Sequence, residues 1–90
     1  MTSIRWTGHA LKNLVDRKID RIQAERVISD PEIVQPDPPN RTIHMRRYFD
    51  EGLEQEMLLR VVIEPNEAEL VIVTLYKTSQ FARYLKGFLR

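Results

Sequence analysis

Cysteine is absent from this 90-residue chain, which excludes a disulfide framework, a thiolate metal site and a thiol nucleophile. Glycine occurs three times, too seldom to build a P-loop, a dinucleotide-binding turn or a nucleophile elbow, and none of those motifs is present. The two histidines, His9 and His44, lack the HxH or HxxxH spacing of a metal pair. No metal and no other cofactor is expected. The longest apolar run, "LVIV" over 70–73, is far shorter than the roughly 20 residues that span a bilayer. Nothing near Met1 resembles a basic region leading into an apolar one. No membrane partner or signal peptide is therefore expected, and a bacterial-type cytoplasmic location is the default.

What remains is a small soluble composition, 42% hydrophobic and 30% charged, with length for one core only. The chain reads as a single domain over 1–90. Its net charge is +1, but the charges are segregated. From Lys77 to Arg90 there are four basic residues and no acid, and Arg41 to Arg47 holds three arginines and a histidine, again without an acid. Such grouping can leave one face positive and suits an anionic partner.

Two periods divide the chain. Thr7 is placed to cap a helix over 8–18, with Ala10, Leu11, Leu14 and Val15 as its apolar stripe and His9, Asn13 and Asp16 opposite. Asp20 opens a second helix over 20–30, with Ile22, Val27 and Ile28 inward and Pro31 ending it. A short extended piece (32–35) leads into the proline-stiffened loop "QPDPPNR". The period then falls to two. "RTIHMRRYF" (41–49) alternates, whereas "MLLRVVIE" (57–64) and "ELVIVTLYK" (69–77) are apolar at nearly every position, as central strands are. Phe81, Tyr84, Leu85, Phe88 and Leu89 return to helical spacing over 79–90. The expected architecture is α+β: two N-terminal helices packed on an antiparallel sheet of three to four strands, with a C-terminal helix.

Candidate chemistry is sparse. His9 lies off the apolar stripe at a helix start, free to act as a general base or merely to meet solvent. Thr74 and Tyr76 interrupt the most apolar strand at a spacing of two, so their hydroxyls share a face. They are strand formers in any case, but a hydroxyl pair aimed into a cleft could hold or protonate a phosphate oxygen. Arg41 and Arg47 share one face by parity. Arg60 sits inside an apolar run, where its guanidinium needs either Glu64 on the same strand face or an anionic ligand.

The order of these features, "HA" opening a helix, "RKI" after it, a second helix ending at proline, then "RVVIE" and "LVIVTLY" strands, resembles a small bacterial family catalogued as a domain of unknown function. That family is grouped with the barnase–EndoU–colicin–RelE ribonuclease-toxin fold, and the resemblance runs from about Ser3 to Lys77. It implies a toxin-like, metal-independent endoribonuclease of a toxin–antitoxin system that cleaves RNA by attack of the 2′-hydroxyl. His9, Arg41, Thr74 and Tyr76 would be catalytic, and Arg17, Arg47, Arg60 and Lys77 would bind RNA. A small protein antitoxin is the partner it implies, and the apolar side of 79–90 is expected to dock on the sheet edge, on that antitoxin or on a second copy of the chain in a homodimer. The alternative is a non-catalytic module of the same fold that binds RNA or protein. Lys18 stands where the family usually has glycine, so the helix must either continue or turn at a cost.

Overall fold

The computed structural model describes residues 3–85. Its elements run β1 (Ser3–Trp6), α1 (Gly8–Asp16), α2 (Arg21–Ser29), β2 (Ile33–Asp37), β3 (Arg41–Asp50), β4 (Gln55–Pro65), β5 (Glu69–Thr78) and α3 (Phe81–Leu85). The strands form one sheet in the order β1-β5-β4-β3-β2. β1 lies parallel to β5, and the other neighbours are antiparallel. The expected two helices on a three- to four-stranded antiparallel sheet are thus corrected to a mostly-sheet fold, a five-stranded mixed sheet with three short helices. The difference is β1. Four residues, mostly exposed, carry no period of their own, and they become a strand only because the edge of β5 offers them partners.

Both N-terminal helices pack on one face of the sheet, here the back. Ala10 and Leu14 of α1 and Ala24, Val27 and Ile28 of α2 meet Leu59, Val61, Ile63, Ile72 and Leu75 there. The stripes are narrower than their sequence implies. Val15 and Ile22 are left exposed, whereas Asn13 is buried. α1 follows the edge of β5 beyond the end of β1, so Asn13 meets a strand rather than solvent. Thr7 caps α1 by accepting from the Ala10 amide at 3.1 Å, and its hydroxyl donates to the Ile72 carbonyl at 2.8 Å. One side chain therefore starts the helix and ties it to the sheet.

α1 ends at Asp16, and Lys18 takes the costlier turn, with φ of 53°. The Ile19 amide donates to Leu14 O at 2.8 Å and the Lys18 amide to Val15 O at 3.2 Å, the two bonds of a Schellman turn. Ile19 and Leu14 bury together in the same core. Asp20 caps α2 as expected, accepting from the Ile22 amide at 2.9 Å.

The opposite, front face carries α3. Phe81, Tyr84 and Leu85 pack there with Ile33, Ile43, Met45, Leu58 and Val62. Phe88 and Leu89 of the expected terminal helix lie outside the described residues. β4 is buried continuously from Met57 to Ile63, as a central strand covered on both faces must be. No helix among the described residues is long and apolar enough to cross a membrane.

Candidate functional site

The site begins with strand register. Arg60 pairs with Met45 on one side and with Tyr76 on the other, while Val62 pairs with Ile43 and Thr74. Met45, Arg60, Thr74 and Tyr76 therefore all belong to the front face. A bulge leaves Val73 between Thr74, opposite Val62, and Ile72, opposite Ile63. It preserves the front-facing pair while turning Ile72 into the back core.

Arg60 is 7% exposed. Its guanidinium donates to the Tyr76 hydroxyl, and its Nε donates to Met45 Sδ at 3.3 Å. Its Cζ stands 4.1 Å from the centroid of the Tyr84 ring and 5.3 Å from that of Tyr76. The two rings meet edge-on at 6.3 Å. Glu64, the carboxylate expected as its partner on β4, is bonded to Asn40 instead. Among the described residues Arg60 forms no salt bridge. A buried cation without a carboxylate costs several kcal/mol; the two aromatic faces and one phenol oxygen offset only part of this. A guanidinium has five N–H donors, and among the described residues two of them are engaged.

Tyr76 has its pKa raised, chiefly by burial, with Tyr84 acting in the same direction and the charge of Arg60 opposing both. The phenol is therefore neutral and a proton donor at physiological pH. Thr74 accepts from Asn13 Nδ2 at 2.6 Å, which joins α1 to the same row of β5. His9 lies one turn before Asn13, and side chains at i and i+4 are neighbours, with Cβ atoms about 5–6 Å apart. His9 itself is exposed. α1 thus brings its flank, with His9 and Asn13, toward the β5 hydroxyls.

The other expected residues are dispersed. Arg41 begins β3 and pairs with Asp37. It lies four residues from Met45 and thus about 13 Å away along the strand. Arg47 is held by Glu32, donating through Nε at 3.2 Å and Nη2 at 2.9 Å. Arg17 donates to the Leu75 carbonyl at 2.8 Å, closing the edge of β5. Lys77 points to the back, where Asp50 takes it at 2.6 Å. The front face gathers Arg60, Thr74 and Tyr76 and is joined to α1 through Asn13; His9 is exposed on α1, one turn before Asn13, and Arg41, Arg47 and Lys77 stand apart. Sequence reasoning missed Asn13, set on the solvent side by its apolar neighbours, and Tyr84, classed with the terminal apolar stripe. The i+4 spacing of Asn13 from His9 is the signal that could have found it. No three His, Asp or Glu side chains among the described residues gather to hold a metal ion.

A family model described as a domain of unknown function (DUF4258) matches residues 6–77. Comparison with curated proteins and with solved structures gives no match.

Proposed function

From a chain that belongs to the DUF4258 family, with a buried arginine unmatched by any described carboxylate, we propose an RNA-cleaving protein whose front face takes the phosphodiester. The observation that carries this reading is the pairing of Arg60 with Tyr76 in the absence of a carboxylate among the described residues. A phosphate supplies the countercharge, and its planar donors suit arginine. In this role Arg60 replaces the distant Arg41 as the clamp on the phosphorane.

The reaction is attack of the 2′-hydroxyl on the adjacent phosphorus. His9 accepts the 2′ proton, Tyr76 gives a proton to the departing 5′ oxygen, and Thr74 donates to a non-bridging oxygen. The product ends are a 2′,3′-cyclic phosphate and a 5′-hydroxyl, and no metal takes part. Tyr84 lies over the guanidinium and moves aside to admit the ligand. The toxin form of this reading entails a small protein antitoxin, a cytoplasmic location and the second copy of the chain as an added partner. The exposed Val15 and Ile22 on the helix layer are consistent with a protein partner.

A second reading, RNA binding without cleavage, is favoured by the exposure of His9 on α1, a helix that packs on the other face of the sheet. Purified protein incubated with total RNA in EDTA separates the two. New cyclic-phosphate ends that Tyr76→Phe abolishes support cleavage. Salt-dependent binding without new ends supports the second reading, and absence of binding ends both.

A further inference from the structure

α1 and its two caps are tied to β5 at three points. The Thr7 hydroxyl donates to the Ile72 carbonyl at 2.8 Å, Asn13 Nδ2 donates to Thr74 Oγ1 at 2.6 Å, and Arg17 Nη1 donates to the Leu75 carbonyl at 2.8 Å. Thr7 and Arg17 meet backbone, and Ala10 between them is wholly buried, so the helix is fixed in register along the strand. Only the middle tie joins two side chains. Asn13 is 5% exposed, and a pair of apolar groups of the same shape would hold that position with little change in stability.

The direction of that bond matters. An amide N–H can only donate, whereas a hydroxyl has one proton and two lone pairs. Thr74 offers a lone pair to Asn13, which turns its own proton away from the helix. Among the described residues no acceptor takes that proton; the bond from Asn13 is the one hydrogen bond of the hydroxyl. Thr74 and Tyr76 lie two residues apart on β5, about 7 Å along the strand, opposite Val62 and Arg60. An unclaimed hydroxyl proton thus stands on the face that carries the buried guanidinium.

We propose that Asn13 is a positioning residue for the front-face site: by donating to Thr74 it holds the threonine hydroxyl as a donor to a non-bridging phosphate oxygen. The inference rests on the RNA reading above and adds a residue that touches neither the RNA nor the reacting atoms. A lone hydroxyl rotor turns its proton toward whichever acceptor is near. A donor whose direction is set before the phosphate arrives needs no reorganisation at the moment of reaction, which is where preorganised donors gain their effect. Asn13→Asp reverses the bond. An ionised carboxylate only accepts, so it draws the Thr74 proton to itself and leaves the phosphate facing a lone pair.

The test follows binding and cleavage of a single-stranded RNA by the whole chain in EDTA, between about pH 5 and pH 8. Asn13→Asp keeps the side-chain volume and should cleave about 10²-fold more slowly at neutral pH, the loss of one donor to a developing oxyanion. Relative to the parent its rate should recover as pH falls, because burial raises the carboxyl pKa and the regained proton can again be donated to Thr74. Thr74→Val should lose as much at every pH. A purely structural tie predicts no such recovery. If Asn13→Asp melts below the assay temperature, Asn13→Ala decides instead, with a rate about tenfold lower in the parent and no further loss in a Thr74→Val background. A rate equal to the parent's, or a loss without recovery in acid, overturns the proposal and leaves the front-face reading standing. A parent that binds RNA without cleaving it sinks the cleavage reading alone. The same variants are then compared by RNA affinity, where about tenfold weakening in Asn13→Asp at neutral pH supports the proposal and unaltered affinity overturns it. A parent that does neither overturns both.

Discussion

Arg60 and Tyr76 stand directly opposite each other on β4 and β5, and the guanidinium donates to the phenol oxygen. The pairing places a cation beside a neutral proton donor on a strand face otherwise built for burial. Neither group would be chosen for stability at that depth. An aliphatic pair of similar volume would pack without desolvation cost.

That cost gives a signature that a structural arginine would not. Arg60→Met fills similar space, adds no charge and leaves the Tyr76 hydroxyl one donor poorer. The expected melting temperature is unchanged or higher, while RNA affinity falls about tenfold and the salt dependence of binding loses about one ion. Thermal unfolding and salt-titrated binding measure the two effects. A variant that loses stability and keeps RNA affinity assigns Arg60 to the core alone.

The spacing of Thr74 and Tyr76 was enough to put them on one face, because period two is a local property of a strand. Asp20 as a cap and the continuous burial of β4 were legible for the same reason. The pairing of Arg60 with Tyr76 was not, since it depends on hairpin register and on the bulge at Val73, both settled by contacts between strands. β1 was invisible because its partner lies more than sixty residues away. The knot in which Tyr48 and Lys77 both donate to Asp50 escaped in the same way. Asn13 was misplaced because a helical wheel weighs apolar neighbours and knows nothing of a strand edge.

Acid should weaken the fold through Glu32. The bond from the Arg47 side chain holds its carboxyl at about 2, down from 4.5, although partial burial pushes the other way. A depressed folded pKa means stability that is complete above about pH 4.5 and lost as pH falls through about 2. Asp50, lowered first by Lys77, acts with the same sign. Denaturation from pH 7 to pH 2 should show Glu32→Gln less stable than the parent at neutral pH and converging with it in acid. The gap should be small, because solvent screens this exposed pair. A gap that widens in acid contradicts this account.

Lys18 carries φ of 53° where glycine would sit without strain. Lys18→Gly should raise stability by about 0.5–1 kcal/mol, the relief of a left-handed non-glycine residue less the entropy that glycine adds to the unfolded chain. The carbonyl that Lys77 uses is backbone and survives the change. Chemical denaturation reads the difference. A loss of stability would mean that the Lys18 side chain contributes contacts outweighing the strain.

The cleavage reading makes its sharpest demand in a living cell. Expression of the wild-type chain should slow growth, and Tyr76→Phe should relieve it, because loss of one general acid or base typically costs about 10²–10⁴ in rate. The substitution removes a hydroxyl and keeps the ring against Tyr84, so folding should be retained. His9→Ala, at an exposed helix position, should relieve growth as well if imidazole is the base. Relief by Tyr76→Phe alone would move the base to another group, and equal toxicity of all three proteins would remove RNA cleavage as the cause.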